Sequence, residues 1–377
     1  MYRKKIAKKK RILAVFSEVN SSPQLLSIVS AAQDSGFDID VIIFSSKENL
    51  LSNAIRHNGI FVKRIKPRGK TYSGVLFVAV AWKIFVRKPD ILFASGLYAD
   101  VVGLATSSLL RVKRRIFVRH HSNFHSKNAN SFGGFIDRLC NFMATDIVAV
   151  SKIVQKILII DENVPKEKVH LIHNGIDLAL FKDNKKSRTT FPHSPSNSVF
   201  RIGMVSRMTS LKGIEYAARA FVRIYEEFPF ATFCVVGQFA DSYQDVQRIL
   251  RHLPTSSFTL LESTESVPEF LSGLDVFVHV PIGDEDESFG LVYVEALATN
   301  LHCIFTLSGV LHELPNLENH VSLVNYMSSE DIYRALQQVL NGADGNKSQV
   351  PESWIDQFEL DKMAGTYVRL FATQGQI

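Results

Sequence analysis

Short apolar runs, nearly continuous in Val, Ile, Leu and Phe, recur along the chain, and each is followed by a helical pattern. The N-terminal half carries "RILAVF", "FDIDVIIF", "IFVKRI", "DILFASG", "RRIFVRHH", "DIVAVS" and "VHLIHNG". After the polar passage "KDNKKSRTTFPHSPSNS" the pattern restarts with "FRIGMVS", "ATFCVVG", "SFTLLES", "DVFVHV", "LHCIFTL" and "HVSLVN". A strand with one wet face alternates in polarity, whereas unbroken apolar runs belong to strands covered on both faces, as helices cover a parallel sheet. The expected class is therefore α/β, with two Rossmann-like doubly wound domains.

A chain of 377 residues with 46% hydrophobic content can fill two such cores. We expect an N-terminal domain over 1–181, a linker over 182–199 and a second domain over 200–350. The remaining 351–377 contains "PESWIDQFELDKMAGTYVRLFA", with Trp354, Phe358, Met363, Tyr367 and Phe371 but no strand after it. That segment is expected to pack back across the domains. Ligands of open α/β sheets sit at the carboxyl ends of strands, so chemistry is sought just after each run.

Three cysteines, Cys140, Cys234 and Cys303, are too far apart for a metal spacing and odd in number, which argues against a disulfide framework and for a reduced, cytoplasmic setting. The basic start "MYRKKIAKKKRILAVF" lacks a signal-peptide apolar core. "VLFVAVAW" is broken at Lys83, well short of the ~20 residues a spanning helix needs. The formal charge of +6 is unevenly spread: residues 1–181 hold 28 Lys and Arg against 13 Asp and Glu, and the rest hold 15 against 24. Such a basic half faces an anionic surface, either nucleic acid or phospholipid headgroups, or else simply carries solvated lysines.

The segment "DEDESFGLVYVEALA", Asp284 to Ala298, follows the run "DVFVHVP". A helix is expected to begin near Ser288 or Phe289, so that the amides of Phe289, Gly290 and Leu291 point out of its N-terminus, where the macrodipole favours phosphate. Glu287 would lie beside that site. Glu295, about two turns into an oily helix, would point into the same crevice and accept hydrogen bonds from sugar hydroxyls. The plainer alternative has Glu287 capping the helix and Glu295 in water. "GMVSRMTSLKG" places Arg207 and Lys212 at another strand's carboxyl end, a spacing suited to a diphosphate.

"SRMTSLKG" resembles the arginine-and-lysine loop of family 4 retaining glycosyltransferases, and "ESFGLVYVE" resembles their paired-glutamate motif. "HNGIDLALF" (His173 to Phe181) and "VPEFLSGLDVFVHVP" are similar to the family's hinge segment and to its approach to the glutamates. The resemblance implies a GT-B fold, two Rossmann-like domains facing across a cleft, with Arg207 and Lys212 on the donor diphosphate, Glu287 on the donor sugar and Glu295 on the nucleotide ribose. It also implies a functional histidine after a strand of the first domain. His120 in "RRIFVRHHSNFH" is the choice, with His121 the rival if the strand register slips by one, and His125 nearby. Two departures stand out: Ser21 and Ser22 where many members have a glycine-rich loop, and "SGVLHEL", with Gly309 and Glu313, where a double glycine precedes Glu.

The implied activity is hexosyl transfer from a nucleotide diphosphate-sugar to a hydroxyl of a glycan or lipid-linked acceptor, in bacterial envelope polysaccharide (including lipopolysaccharide) synthesis. No cofactor or metal is expected, because Arg207, Lys212 and helix amides neutralise the phosphates, although "DED" at Asp284 to Asp286 would attract weak Mg²⁺. The alternatives are a sugar-nucleotide epimerase or phosphorylase on the same fold, or a basic nucleic-acid-binding module. Nucleic acid is not expected, since no aromatic-interleaved motif accompanies the lysines. An anionic membrane surface is. The helix "YSGVLFVAVAWKIFVRK" bears Val75, Leu76, Phe77, Val80, Trp82 and Phe85 beside Lys83, Arg87 and Lys88, and the cluster Lys63, Arg64, Lys66, Arg68 and Lys70 lies in the same half. The location expected is cytoplasmic, with a peripheral place on the inner face of the cytoplasmic membrane.

Overall fold

The computed structural model of the chain describes residues 9–17, 19–45, 49–66, 72–122, 131–182, 199–342 and 349–373. The basic residues before Lys9, Arg68, Lys70, His125 and most of the linker, 183–198, lie outside the described residues. The chain divides into two compact units, Met1–Gly175 with Leu360–Ile377, and Ile176–Glu359.

In the first unit the runs form β1 (Arg11–Ser17), β2 (Asp38–Phe44), β3 (Phe61–Ile65), β4 (Ile91–Ser95), β5 (Arg114–Arg119), β6 (Asp146–Ala149) and β7 (Val169–Leu171). They make one seven-stranded sheet in the order β3-β2-β1-β4-β5-β6-β7, every pair parallel. β1 is central, with Ala14 paired to Val41 on one side and Phe93 on the other, which is why its run is apolar throughout. The order reverses between β1 and β4, so a crevice opens at their carboxyl ends. With right-handed crossovers, helices Pro23–Asp34 and Leu50–His57 cover one face of this sheet, and Tyr72–Arg87, Leu97–Leu109 and Ser131–Met143 the other. The last three pack side by side in that sequence.

Helix Tyr72–Arg87 departs from its sequence reading in two ways. Leu76 and Val80 turn into the core together with Ile84, while Val75, Phe77, Trp82 and Phe85 stay exposed. Lys83 pairs with Asp40 at 2.9 Å, and Arg87 bonds both Asp38 and Asp40. Only Lys88 of the three cations is left fully exposed, because β2 brings its acids under the helix from far away in sequence.

The second unit holds β8 (Phe200–Val205), β9 (Ala231–Val236), β10 (Phe258–Leu261), β11 (Val276–His279), β12 (His302–Phe305) and β13 (Ser322–Leu323). They form a six-stranded parallel sheet in the order β10-β9-β8-β11-β12-β13. Its core is built on Phe221 of helix Ile214–Glu227 stacked on Phe233 of β9, centroids 5.2 Å apart. Here the order reverses between β8 and β11, so the loops after those two strands border the crevice.

The chain leaves the first unit after Gly175 and returns to it at Leu360. Beside the first crossing, the Ile176 amide donates to the Phe358 carbonyl at 2.8 Å. Helix Leu360–Ala372 is then an integral part of the first unit: Tyr367 and Phe371 pack edge-on against Phe93 of β4, at 5.6 and 5.4 Å. Arg114 of β5 donates to the Leu370 carbonyl at 2.6 Å, and Lys10 to that of Ala372 at 2.8 Å.

Candidate functional site

The loop after β11 runs from Val280 to Gly290, and the helix that follows spans Leu291–Ala298. It starts later than Ser288 or Phe289. Gly290 is its N-cap in the left-handed region, φ +79, with its Cα against the Tyr293 ring, so that a Cβ there would sit 2.4 Å from the ring. Phe289 lies outside the helix: its carbonyl accepts from the Val310 amide at 2.9 Å and its side chain is buried against Phe358. Of the three residues expected to supply amides, Leu291 is the first helical one. No side chain caps this terminus, which leaves it suited to an anion.

Glu287 is the centre of the arrangement. One carboxylate oxygen, Oε1, accepts from Lys212 Nζ at 2.6 Å and from His279 Nε2 at 2.8 Å, and Lys212 also donates to the Asp286 carbonyl at 3.0 Å. The ion pair is nearly enclosed, with side-chain exposure of 12% for Lys212 and 14% for Glu287. Burial pushes the Glu287 carboxyl up, but the His279 hydrogen bond and the Lys212 charge outweigh it and hold the pKa down to about 2. Lys212 and Glu287 are thus bonded to each other, a pairing that the sequence did not signal.

The loop is clasped from outside by "SGV". Ser308 Oγ accepts the Glu287 amide at 3.2 Å and lies 2.8 Å from the Asp284 carbonyl. Gly309 has φ +58, and a Cβ on it would stand 2.6 Å from the Phe289 carbonyl. The departure from a double glycine therefore keeps the glycine that the close approach requires.

In the first unit His120 is the residue directly after β5, so the strand register favours it over His121 for the carboxyl-end position. Its Nε2 lies 2.9 Å from Ser95 Oγ at the end of β4. His120 as a residue is exposed, yet desolvation by surrounding protein, and then the charge of His121, lower its pKa to about 4. It is neutral at neutral pH. Arg119, fully buried, holds the segment: it bonds the His121 carbonyl at 3.1 Å, Asp137 at 3.0 Å and Glu162 at 2.6 Å. His121 itself pairs with Asp137 at 3.2 Å. Ser22 caps helix Pro23–Asp34 by accepting the Leu25 amide, so its hydroxyl is engaged where a glycine-rich loop was expected.

Two family models divide this chain between them: Glycosyltransferase Family 4 matches residues 24–180 and Glycosyl transferases group 1 matches residues 199–342. The chain belongs to the group 1, family 4 glycosyltransferases. Among curated relatives, an uncharacterised glycosyltransferase of Methanocaldococcus jannaschii is 25% identical over 304 residues, 74% of each chain. The capsular polysaccharide biosynthesis glycosyltransferase CapM of Staphylococcus aureus is 24% identical over 306 residues, 75% of this chain and 78% of that one. Anabaena HepE, solved with UDP and glucose, superposes with a TM-score of 0.76 at 17% identity, covering 96% of this chain and 99% of its own. A UDP-GlcNAc 2-epimerase from Methanocaldococcus jannaschii superposes at 0.61 and 14% identity, over 96% of this chain and 99% of that one. The fold is thus of the GT-B kind, and it is one that hosts more than one chemistry.

In this glycosyltransferase the two remaining sequence candidates are the uncommitted ones. Arg207, in the loop after β8, is exposed and makes no side-chain hydrogen bond or ion pair among the described residues. Glu295 is half-buried in helix Leu291–Ala298, meets no donor among the described residues, and has its pKa raised to about 7 by desolvation. A carboxyl left in that state is short of hydrogen bonds that a ligand can supply. His279 was missed by sequence reasoning, although a lone polar residue inside "DVFVHV" was the available signal. It is 1% exposed, its Nδ1 has no partner, and Tyr293 stands edge-on to its ring at 4.8 Å. Among the described residues no group of three or more His, Cys, Asp or Glu is arranged to hold a metal ion.

Proposed function

We propose that this glycosyltransferase moves a hexose from a nucleotide diphosphate-sugar to a hydroxyl of a glycan or lipid-linked acceptor, with retention of anomeric configuration and without a metal ion, in the synthesis of an envelope polysaccharide. The observation that carries this reading is the second-unit cluster at the carboxyl ends of β8 and β11. It is built on the Lys212–Glu287–His279 chain; Arg207, uncommitted, is on the same connection after β8 as Lys212, and the uncapped helix that carries the underbonded Glu295 follows Glu287 along the chain. CapM lends the polysaccharide context and HepE the choice of uridine donors to try first.

The chemistry follows from charge. A diphosphate entering beside the helix N-terminus meets Arg207 directly and competes with Glu287 for Lys212. Its arrival frees Glu287 to accept from sugar hydroxyls, and as the glycosidic bond breaks, the growing phosphate charge is met by both cations. His120, neutral and fixed by Ser95, would serve the donor sugar as a hydrogen-bonding group. The departing phosphate oxygen can take the acceptor proton. Glu295 would accept from ribose hydroxyls.

The experiment is a thermal-shift and calorimetric screen with uridine, guanosine and adenosine diphosphates and their sugars. At about 100 times its dissociation constant the right ligand adds about 2.7 kcal/mol. Glu295 supplies a second readout. Hydroxyl donors favour its charged form, so nucleotide binding near pH 7 should release a proton, seen as a binding heat that varies with buffer ionisation enthalpy. Glu295→Gln should abolish that variation. Transfer should survive exhaustive chelation, and proton NMR of the product should show the donor's anomeric configuration. Product formed from nucleotide-sugar alone, with no acceptor, would identify an epimerase or phosphorylase instead.

A further inference from the structure

Helix Ser131–Met143 is amphipathic inside out. Asp137, Cys140 and Asn141 point into the protein and are buried, with Asp137 bonded to Arg119 and Asn141 to Glu162. Phe135, Leu139 and Phe142, spaced four and three apart, point outward, and Phe142 is 81% exposed. Helix Tyr72–Arg87 is apolar on both sides: opposite its buried Leu76, Val80 and Ile84 it exposes Val75, Val78, Trp82, Phe85 and Val86. A helix apolar all round is normally a buried one. Helix Leu97–Leu109 lies between the two and ends on exposed Leu109 and Leu110.

Among the described residues of the three helices and their ends, the exposed charges are of one sign. The only acids within the three helices are Asp100 and Asp137, and both are buried. Lys88, Arg111, Lys113 and Arg138, on the helices or at their ends, are exposed. We infer that the outer face of these helices is a docking surface for an anionic phospholipid bilayer, seating Trp82, Phe85 and Phe142 among the acyl chains and the cations at headgroup level. The inference rests on the lipid-linked acceptor of the proposed function and locates where a membrane carrying it meets the chain. A bilayer fits because it offers apolar depth and negative charge together. A second copy of the chain would set like cations against one another across a two-fold axis. Nucleic acid would leave the aliphatic side chains unused. No helix among the described residues is long and apolar enough to cross a membrane, so the contact is with the surface. The N-terminus of the middle helix, with exposed Leu97 and Tyr98, follows Ser95, the partner of His120, so the apolar face reaches the edge of the histidine site.

The chain has two tryptophans, Trp82 at 63% exposure on this face and Trp354 in the other unit. A full-length Trp354→Phe protein therefore reports on the face alone. With vesicles of equimolar phosphatidylglycerol and phosphatidylcholine at low salt, Trp82 emission should shift to the blue and become shielded from aqueous quencher. Phosphatidylcholine alone, or high salt, should give little change. Phe85→Ser with Phe142→Ser, both exposed, should weaken partition about tenfold or more while the nucleotide-induced thermal shift stays at the wild-type value. Absent binding at low salt, equal partition into neutral vesicles, or unaltered partition of the double variant would overturn the inference. So would a solution dimer that the double variant dissolves in place of vesicle binding. Failure of every nucleotide to shift the wild-type protein would instead overturn the donor reading, whatever the vesicles show.

Discussion

Glu287 sits on a loop and Lys212 ends the short 3-10 helix Ser210–Lys212, and by position alone each reads as removable without harm to the fold. Their 2.6 Å contact changes that expectation. Removing one partner of an enclosed ion pair strands the other charge, a loss of up to about 3 kcal/mol for a pair not wholly buried. We expect Lys212→Ala and Glu287→Ala each to unfold at lower urea concentration and to lose transfer by two orders of magnitude or more. The double variant should regain much of the stability and none of the activity. Singles that unfold at the wild-type midpoint would contradict the enclosed pair. Arg207, Lys212, Glu287 and Glu295 were legible as candidates because the segments that follow strand ends are local in sequence. Their mutual bonding was not, since the partners lie 75 positions apart and His279 reaches the carboxylate from inside a strand.

The elements themselves followed from apolar period, and the errors fell at their ends and faces. The helix expected from Ser288 or Phe289 starts at Leu291, because Gly290 is held left-handed against Tyr293 and Phe289 is drawn into the core. Helix Ser131–Met143 gave no signal of its inverted orientation, since period shows that a helix has two sides but not which one the sheet takes. The "SGV" segment, a weak sequence match, proves to be the clasp of the glutamate loop. Gly309→Ala should therefore lower transfer sharply by pushing the Phe289 carbonyl, and with it Glu287, out of place. Gly342→Ala is the control: its φ of +67 is similar but nothing stands within 4 Å of the added carbon, so it should cost only about 1–2 kcal/mol of backbone strain and leave transfer intact. Equal activity losses in the two variants would show that the close approach at Gly309 does not hold Glu287 in place.

At the scale of the molecule, two parallel sheets were readable from the runs alone, and a last helix packing back across the domains was expected from its apolar face, but the strand it covers was not readable. The apolar face of "LDKMAGTYVRLFA" says that the helix packs, not on what. It closes the first unit over Phe93, burying Met363, Tyr367 and Phe371, each worth roughly 1.5–3 kcal/mol. A chain stopped after Glu359 should therefore keep a cooperative transition for the second unit, still raised by nucleotide, and lose the one belonging to the first. A single transition at the wild-type midpoint would show that the helix is dispensable.

The same return of the chain sets an order of events during synthesis. The second unit is one continuous stretch and is complete before Leu360 is made. The first unit, although begun earlier, waits for its last helix with the Phe93 cluster uncovered. At about 5–20 residues per second that wait lasts tens of seconds. The half of the protein that emerges first is therefore the half that finishes last, and its open sheet is the part of the nascent chain most in need of a chaperone.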